Sequence, residues 1–182
     1  MKDIIQKIIN DKGRCVLAID GRCASGKTTY ANKLAEECDG EVIHMDEFFL
    51  RREQRTDQRF TTPGENIDHE RMMEEVFMPL GEGKPFSYHP FDCEKMEIGE
   101  EIYISNKSLI IVEGCYSLRE EFRPFYDYSI FCTISKETQI KRIKERNPDK
   151  LERFINEWIP MEEEYFEAYN VMDYADKVIE MA

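Results

Sequence analysis

Eight consecutive residues, Gly21-Arg22-Cys23-Ala24-Ser25-Gly26-Lys27-Thr28, fit the pattern G-x-x-x-x-G-K-[ST] without a gap. Glycine admits backbone conformations that a Cβ forbids, so successive N–H groups in such a loop can turn inward onto phosphate oxygens. A helix opening at the end of the loop adds its positive N-terminus to the same anion. Lys27 supplies a mobile charge for the bridge between β- and γ-phosphates, and Thr28 a hydroxyl of the kind that ligates Mg²⁺. Thr29, next along the helix, joins the nucleotide-binding set. The pattern alone does not separate GTPases, motors, transporter ATPases and small-molecule kinases. The chain has no N-K-x-D guanine-reading tetrapeptide, no D-x-x-G after the loop and no L-S-G-G-Q, which counts against a GTPase or an ABC-type ATPase.

Further charged residues have chemistry to offer. Glu113 ends the apolar run Leu109-Ile110-Ile111-Val112, where a carboxylate at the mouth of a buried strand can hold a magnesium-bound water; a capping or solvated acid is the other reading. Asp46 follows a short strand expected beside the loop strand, so it faces the crevice at the carboxyl ends of the sheet, where open α/β folds bind ligands. Its other readings are a helix cap or a partner of magnesium-bound water. Arg142 and Arg146 are four residues apart and share a helical face, close to Asn147-Pro148 and Arg153. Lys141, Lys144 and Glu145 surround them, so a solvated face is the competing reading. Arg51, Arg52, Arg55 and Arg59 either contact an anionic acceptor or keep a loop hydrated, the second being preferred. His44 and His69 lie singly, without a Cys or His at zinc-like spacing, and Trp158, with Phe154 and Ile155, reads as core.

The elements that must position these groups follow from periodicity. Ile4, Ile5, Ile8 and Ile9 predict a helix over residues 2–11 ended by Gly13. Short apolar runs predict strands at Cys15–Ile19, Glu41–Met45, Leu109–Val112, Tyr128–Ile134 and Lys177–Ile179. Helices are expected at Thr28–Cys38, Asp68–Leu80, Lys136–Arg146, Leu151–Trp158 and Met161–Tyr169, the last two around Pro160. Residues 46–66 read as a polar loop closing at Pro63-Gly64, and Phe86–Phe91 with Ile102–Ile104 as a hairpin-like excursion. Strands that are nearly all apolar and alternate with helices predict a parallel sheet covered on both faces.

The 182 residues fit one domain. The net charge of −13 gives a bulk field that repels phosphate backbones and anionic lipid, so neither nucleic acid nor a membrane is an expected partner. No run approaches the ~18 apolar residues of a membrane span. The six cysteines form no C-x-x-C pair and most sit in apolar runs, so they read as buried free thiols of a cytoplasmic protein.

The loop, Met45-Asp46-Glu47-Phe48-Phe49, Asn66-Ile67-Asp68-His69 and the strand ending in Glu113-Gly114 occur in one order. With them the chain, from about Cys15 to Ile179, resembles the uridine kinase family of P-loop kinases, related to phosphoribulokinase, bacterial pantothenate kinase and nicotinamide riboside kinase. The resemblance implies a P-loop NTPase three-layer α/β sandwich of about five parallel strands with helices on both faces. It comprises one domain over 1–182 with an acceptor-binding excursion at about 46–105 and a lid at about 136–153. It implies transfer of the ATP γ-phosphoryl group, with Mg²⁺, to a hydroxyl of a small molecule. Asp46 would accept the hydroxyl's proton, Phe49 would stand where the family has a pocket-lining Tyr, and Asp68 would bind ribose-like hydroxyls, helix capping being its alternative. Arg142 and Arg146 would reach the transferring phosphate. Phe49 and the segment Phe86–Cys93 depart from the family's nucleobase-reading residues. The resemblance nonetheless implies uridine or cytidine as the first acceptor class, with another ribosyl or sugar-like alcohol, or a non-catalytic nucleotide-binding module, as alternatives. Association into a homo-oligomer is left open.

Overall fold

A computed structural model describes residues 1–105 and 107–181. Helix α1 (Lys2–Lys12) ends at Gly13, whose left-handed φ of 82° lets its N–H close onto Ile9. Strand β1 (Cys15–Gly21) leads into the phosphate-type loop and α2 (Lys27–Cys38), followed by β2 (Glu41–His44). The excursion then contains short helix α3 (Asp57–Thr61) and a helix that starts as α4 (His69–Met72), passes a π turn (Met73–Phe77) and ends as α5 (Met78–Glu82). Four short strands follow, β3 (Phe86–Tyr88), β4 (Phe91–Asp92), β5 (Glu97–Ile98) and β6 (Ile102–Ile104), pairing β3 with β6 and β4 with β5 as nested antiparallel ladders. Strands β7 (Leu109–Glu113) and β8 (Tyr128–Thr133) precede α6 (Lys136–Arg146), α7 (Leu151–Arg153), α8 (Ile159–Ala168), α9 (Val171–Tyr174) and strand β9 (Lys177–Glu180).

Among the described residues the main sheet has five strands in the order β2-β7-β1-β8-β9, and every neighbouring pair is parallel. Alternation along the buried strands divides the core. Leu17, Ile19, Leu109, Ile111 and Ile130 pack with Ile5 of α1 and Ala31, Leu34 and Ala35 of α2 on one face. Val16, Ala18, Ile110, Val112 and Phe131 pack with Met72, Val76, Phe77, Tyr165 and Phe166 on the other. The result is the three-layer α/β sandwich with five parallel strands expected from the sequence. The chain leaves β1 for β2 on one side of β1, while β8 lies on the other, so the crevice at the carboxyl end of β1 is where an α/β sheet opens a binding site. Among the described residues no helix is long and apolar enough to cross a membrane.

Local departures have physical causes. Strand β2 stops at His44, and Met45–Phe48 form a 3₁₀ turn that carries Asp46 and Glu47. Residues 46–66 are more ordered than a polar loop, because Thr56 caps α3 by accepting from Arg59 N, and Arg59 binds Glu70 and the carbonyls of Glu65 and Ile67. The helices around Pro160 run on through a π turn at Phe154–Trp158. A proline has no N–H and crowds the carbonyl four residues earlier, which a widened turn accommodates. Trp158 is only half-buried, its ring edge-on to Phe154 and under the Arg153 guanidinium, and Cys93 is exposed rather than buried.

Candidate active site

The loop between β1 and α2 is held from behind. Asp20, fully buried, accepts from Gly21 N at 2.6 Å through one oxygen and from Leu118 N and Tyr165 Oη, both at 2.8 Å, through the other. Gly21 has φ +130°, and a Cβ there would lie 2.0 Å from the carbonyl oxygen of Cys132, so no larger residue fits this crossing of β1 and β8. Gly26, at φ +99°, turns the chain into α2. Lys27 is buried and donates to the carbonyls of Gly21 (2.7 Å) and Arg22 (2.9 Å), so its ammonium lies folded into the loop. Burial opposes its charge, but Glu162, Cys115, Asp20 and Glu113 together raise its pKa, and Lys27 stays cationic. Arg22 is taken up elsewhere, by both oxygens of Glu163 and by the Thr133 hydroxyl. Cys23 N donates to Glu162 at 3.0 Å.

Thr28 and Glu113 meet: Thr28 Oγ1 donates to Glu113 Oε1 at 3.0 Å, and His44 Nδ1 lies 2.6 Å from the same oxygen. Parallel register places His44 directly beside Glu113. The other carboxylate oxygen, Oε2, is buried and has no hydrogen-bond partner among the described residues. An anionic oxygen in that state is one a cation, or water on a cation, can use, so the donor set fits Mg²⁺. His44 has its pKa raised by its bond to Glu113, against the effect of burial. Asp46, on the turn after β2, feels the charges of Lys27, Glu113, His44 and Arg146. Protein mass around its carboxylate raises its pKa, Glu113 adds to this, and the three cations oppose. A carboxylate so placed accepts a proton more readily than one in water.

On the other flank of the loop lies a cavity of about 490 Å³ bounded by Ala24, Ser25, Gly26, Thr29, Tyr30, Lys33, Arg142, Arg146 and Met181. Arg142 donates to the carbonyls of Ala24 and Ser25, each at 3.2 Å. The face of α6 bearing Arg142 and Arg146 is therefore turned to the loop. Arg153 is not: it pairs with Glu157 on its own helix. Tyr30 and Lys33 escaped the sequence reading, although both lie on the first turns of α2, within one turn of Thr29.

The excursion closes the acceptor side. Asp68 is fully buried and caps α4, accepting from Arg71 N, while its Oδ2 accepts from Arg51 Nε at 2.9 Å and Arg71 Nε at 3.4 Å. Asp68 therefore caps α4, one of the two roles its sequence allows, and ties Arg51 and Arg71 to the excursion. Phe49 is half-buried, bridged to Ile67 by backbone pairing and packed against the core. Arg71 also donates to the carbonyls of Glu47 and His89 and lies 4.4 Å over the Phe48 ring, and Tyr88 donates to Glu47. Arg51 and Arg59 thus serve as ties within the excursion. Arg71, like Asp20 and Glu162, was missed in the sequence, where it reads as one more polar residue of a helix.

Buried carboxylates give a pH signature. Burial raises Asp20 to about 6 and Glu162 to about 7, against backbone N–H bonds and the Lys27 charge that favour ionisation. Each favours the folded state while protonated, so its stabilisation is complete below the ordinary carboxylate range and is lost as pH rises through about 6 and about 7. Glu70 behaves oppositely. Burial works against its charge, but the Arg59 bond wins and lowers it to about 2, so its contribution disappears only in strong acid. Thermal melts across pH 5 to 8 are therefore expected to show Tm falling as pH rises, with Glu162→Gln flattening the upper part of the slope. A Tm that rises steadily over this interval contradicts the assignment.

No family model matches the chain. It is 32% identical over 117 residues to uridine-cytidine kinase D of Dictyostelium discoideum, an alignment covering 64% of this chain and 23% of that protein, so the chain spans about a quarter of that relative's length. A chain from Bacillus stearothermophilus described as a "possible uridine kinase" superposes with a TM-score of 0.70 at 25% identity over 98% of both chains. A provisionally named fructose transport system kinase from Silicibacter sp. TM1040 superposes with a TM-score of 0.71 at 21% identity over 97% of both, a likeness of fold. The fold and the loop are those of a P-loop kinase. Within that class the chain is similar to proteins named as uridine or uridine-cytidine kinases.

Proposed function

We propose that the chain uses Mg²⁺ and ATP to phosphorylate a hydroxyl of a small metabolite, a nucleoside such as uridine or cytidine being the first acceptor class. The observation that carries this reading is that Asp46, the adjacent pair Lys27 and Thr28, and Glu113, drawn from three separate segments, act on one another at the carboxyl end of the sheet. Thr28 and Glu113 would hold Mg²⁺, which when bound neutralises charge on the phosphate oxygens. The loop N–H groups and Lys27 bind and orient the triphosphate. Asp46 orients the acceptor hydroxyl and takes its proton, a task that in a loose transition state demands position more than basicity. Arg142 and Arg146, beside the loop, screen the phosphate being transferred.

A sugar-like alcohol is the second acceptor class. It is favoured by Phe49, which offers no hydroxyl to the acceptor, and by the sugar-kinase name of a neighbour of equal fold similarity. A panel of nucleosides, sugars and polyols coupled to ADP detection separates these classes. Acceptor-dependent ADP release with uridine or cytidine is expected, whereas release with sugars alone selects the second class. ADP release that no acceptor accelerates contradicts both and favours a nucleotide-binding module.

The arginines give a further expectation. Arg142→Ala and Arg146→Ala each lower kcat by an amount equivalent to at least ~2 kcal/mol, with a smaller rise in KM for ATP, because the contact strengthens as charge moves onto the phosphoryl group. An arginine on a solvated face changes stability by less than ~0.5 kcal/mol and leaves turnover alone. Steady-state kinetics at saturating ATP, with thermal melts in parallel, distinguish the two.

A further inference from the structure

The proposed mechanism makes no use of Glu162, yet this side chain reaches from α8 into the phosphate loop, where its Oε2 accepts the Cys23 N–H at 3.0 Å and where it is only 7% exposed. It is also foremost among the negative charges acting on Lys27. A backbone N–H of the loop and the loop lysine are the two kinds of donor that a bound triphosphate needs. We propose that Glu162 is a proton-coupled occupant of the phosphate cradle: ionised, it holds the Cys23 N–H and the field of Lys27, and on nucleotide binding it takes up one proton from solvent and yields both to the phosphates.

The inference rests on the reading that this loop binds a nucleoside triphosphate, and deepens it. An ionised carboxylate beside an incoming polyanion is disfavoured by like-charge repulsion in a site shielded from water, and the neutral acid is the form that relieves it. The surroundings leave it few other ways to shed charge. From β1 Asp20 faces it with the same sign, and from the segment after β7 come the thiol of Cys115 and the phenol of Tyr116, both neutral because burial raises them well above their ordinary range. Lys27 is the cation that opposes its burial, and the phosphates compete for that charge. The Cys23 thiol is held neutral by burial and by Glu162 itself. On α8, the neighbouring Glu163 is already paired with Arg22, and Tyr165 gives its hydroxyl to Asp20. With burial raising Glu162 to about 7, the proton needed lies within reach at neutral pH.

Calorimetry of MgATP binding at about pH 8, in two buffers of different ionisation enthalpy, counts the protons taken up. The unmodified chain is expected to take up close to one proton per nucleotide, and its affinity to fall by up to tenfold per unit above about pH 7. Glu162→Gln, which keeps the size and an oxygen for Cys23 N, is expected to take up almost none, to lose that pH dependence and to bind MgATP several-fold more tightly at about pH 8. A merely structural Glu162 moves none of these readouts. Binding by the unmodified chain without proton uptake overturns the inference and leaves the proposed function standing. Equal uptake in chain and variant does the same. No MgATP binding by either at any pH overturns the proposed function, and this inference with it.

Discussion

Lys27→Ala lowers kcat at least ~100-fold while the chain stays folded. The ammonium is buried among Glu162, Asp20 and Glu113 and remains charged. Among the described residues its hydrogen bonds run to the carbonyls of Gly21 and Arg22 alone, within the loop it serves. Losing these costs about 1.5–3 kcal/mol each, a local cost, since the loop is fixed independently by Asp20 and by the Gly21 crossing. Arg22, the other cation of the loop, is already paired with Glu163. Steady-state kinetics at saturating ATP and acceptor, with a thermal melt, measure both halves of this expectation, and unchanged turnover contradicts the kinase reading.

Asp46→Asn abolishes most acceptor phosphorylation, by roughly 10²–10⁴-fold, and leaves nucleotide binding in place. The substitution conserves size and removes the charge that accepts the proton. Asp46 makes no hydrogen bond to the protein among the described residues, so its role is not in the fold, and the loop and Thr28 are untouched. Nucleotide affinity and single-turnover phosphoryl transfer, measured on the same preparation, separate the roles. If the variant no longer binds ATP yet turns over normally at saturation, Asp46 belongs to the nucleotide site instead of the acceptor.

Much of this site is legible in the sequence because its parts obey local geometric rules. A strand, a glycine-bounded loop and a helix must follow one another within a few residues to cradle phosphate, and the span from β1 to α2 does so. Glu113 is readable because it ends an apolar strand and Asp46 because it follows one, and parallel strands deliver their ends to one edge. Arg142 is readable because an uninterrupted helix fixes which face it shares with Arg146. Glu162 is not, since Met161-Glu162-Glu163-Glu164 looks like a solvated acidic stretch until the fold brings α8 against a loop some 139 residues earlier in the chain. Asp20 likewise gains its meaning from Leu118 and Tyr165, both distant in sequence. For Asp68 the sequence permits capping and ligand binding alike, and only the fold shows that it caps α4 and pairs with Arg51 and Arg71.

Following the terminal phosphate tests the central claim most directly. With ATP labelled in its γ-phosphoryl group, Mg²⁺ and uridine or cytidine, the account predicts that the label appears in a phosphate ester of the acceptor, in step with ADP, and that Asp46→Asn suppresses the ester while labelled ATP still binds. Label recovered only as inorganic phosphate, at a rate independent of every acceptor supplied, would contradict it.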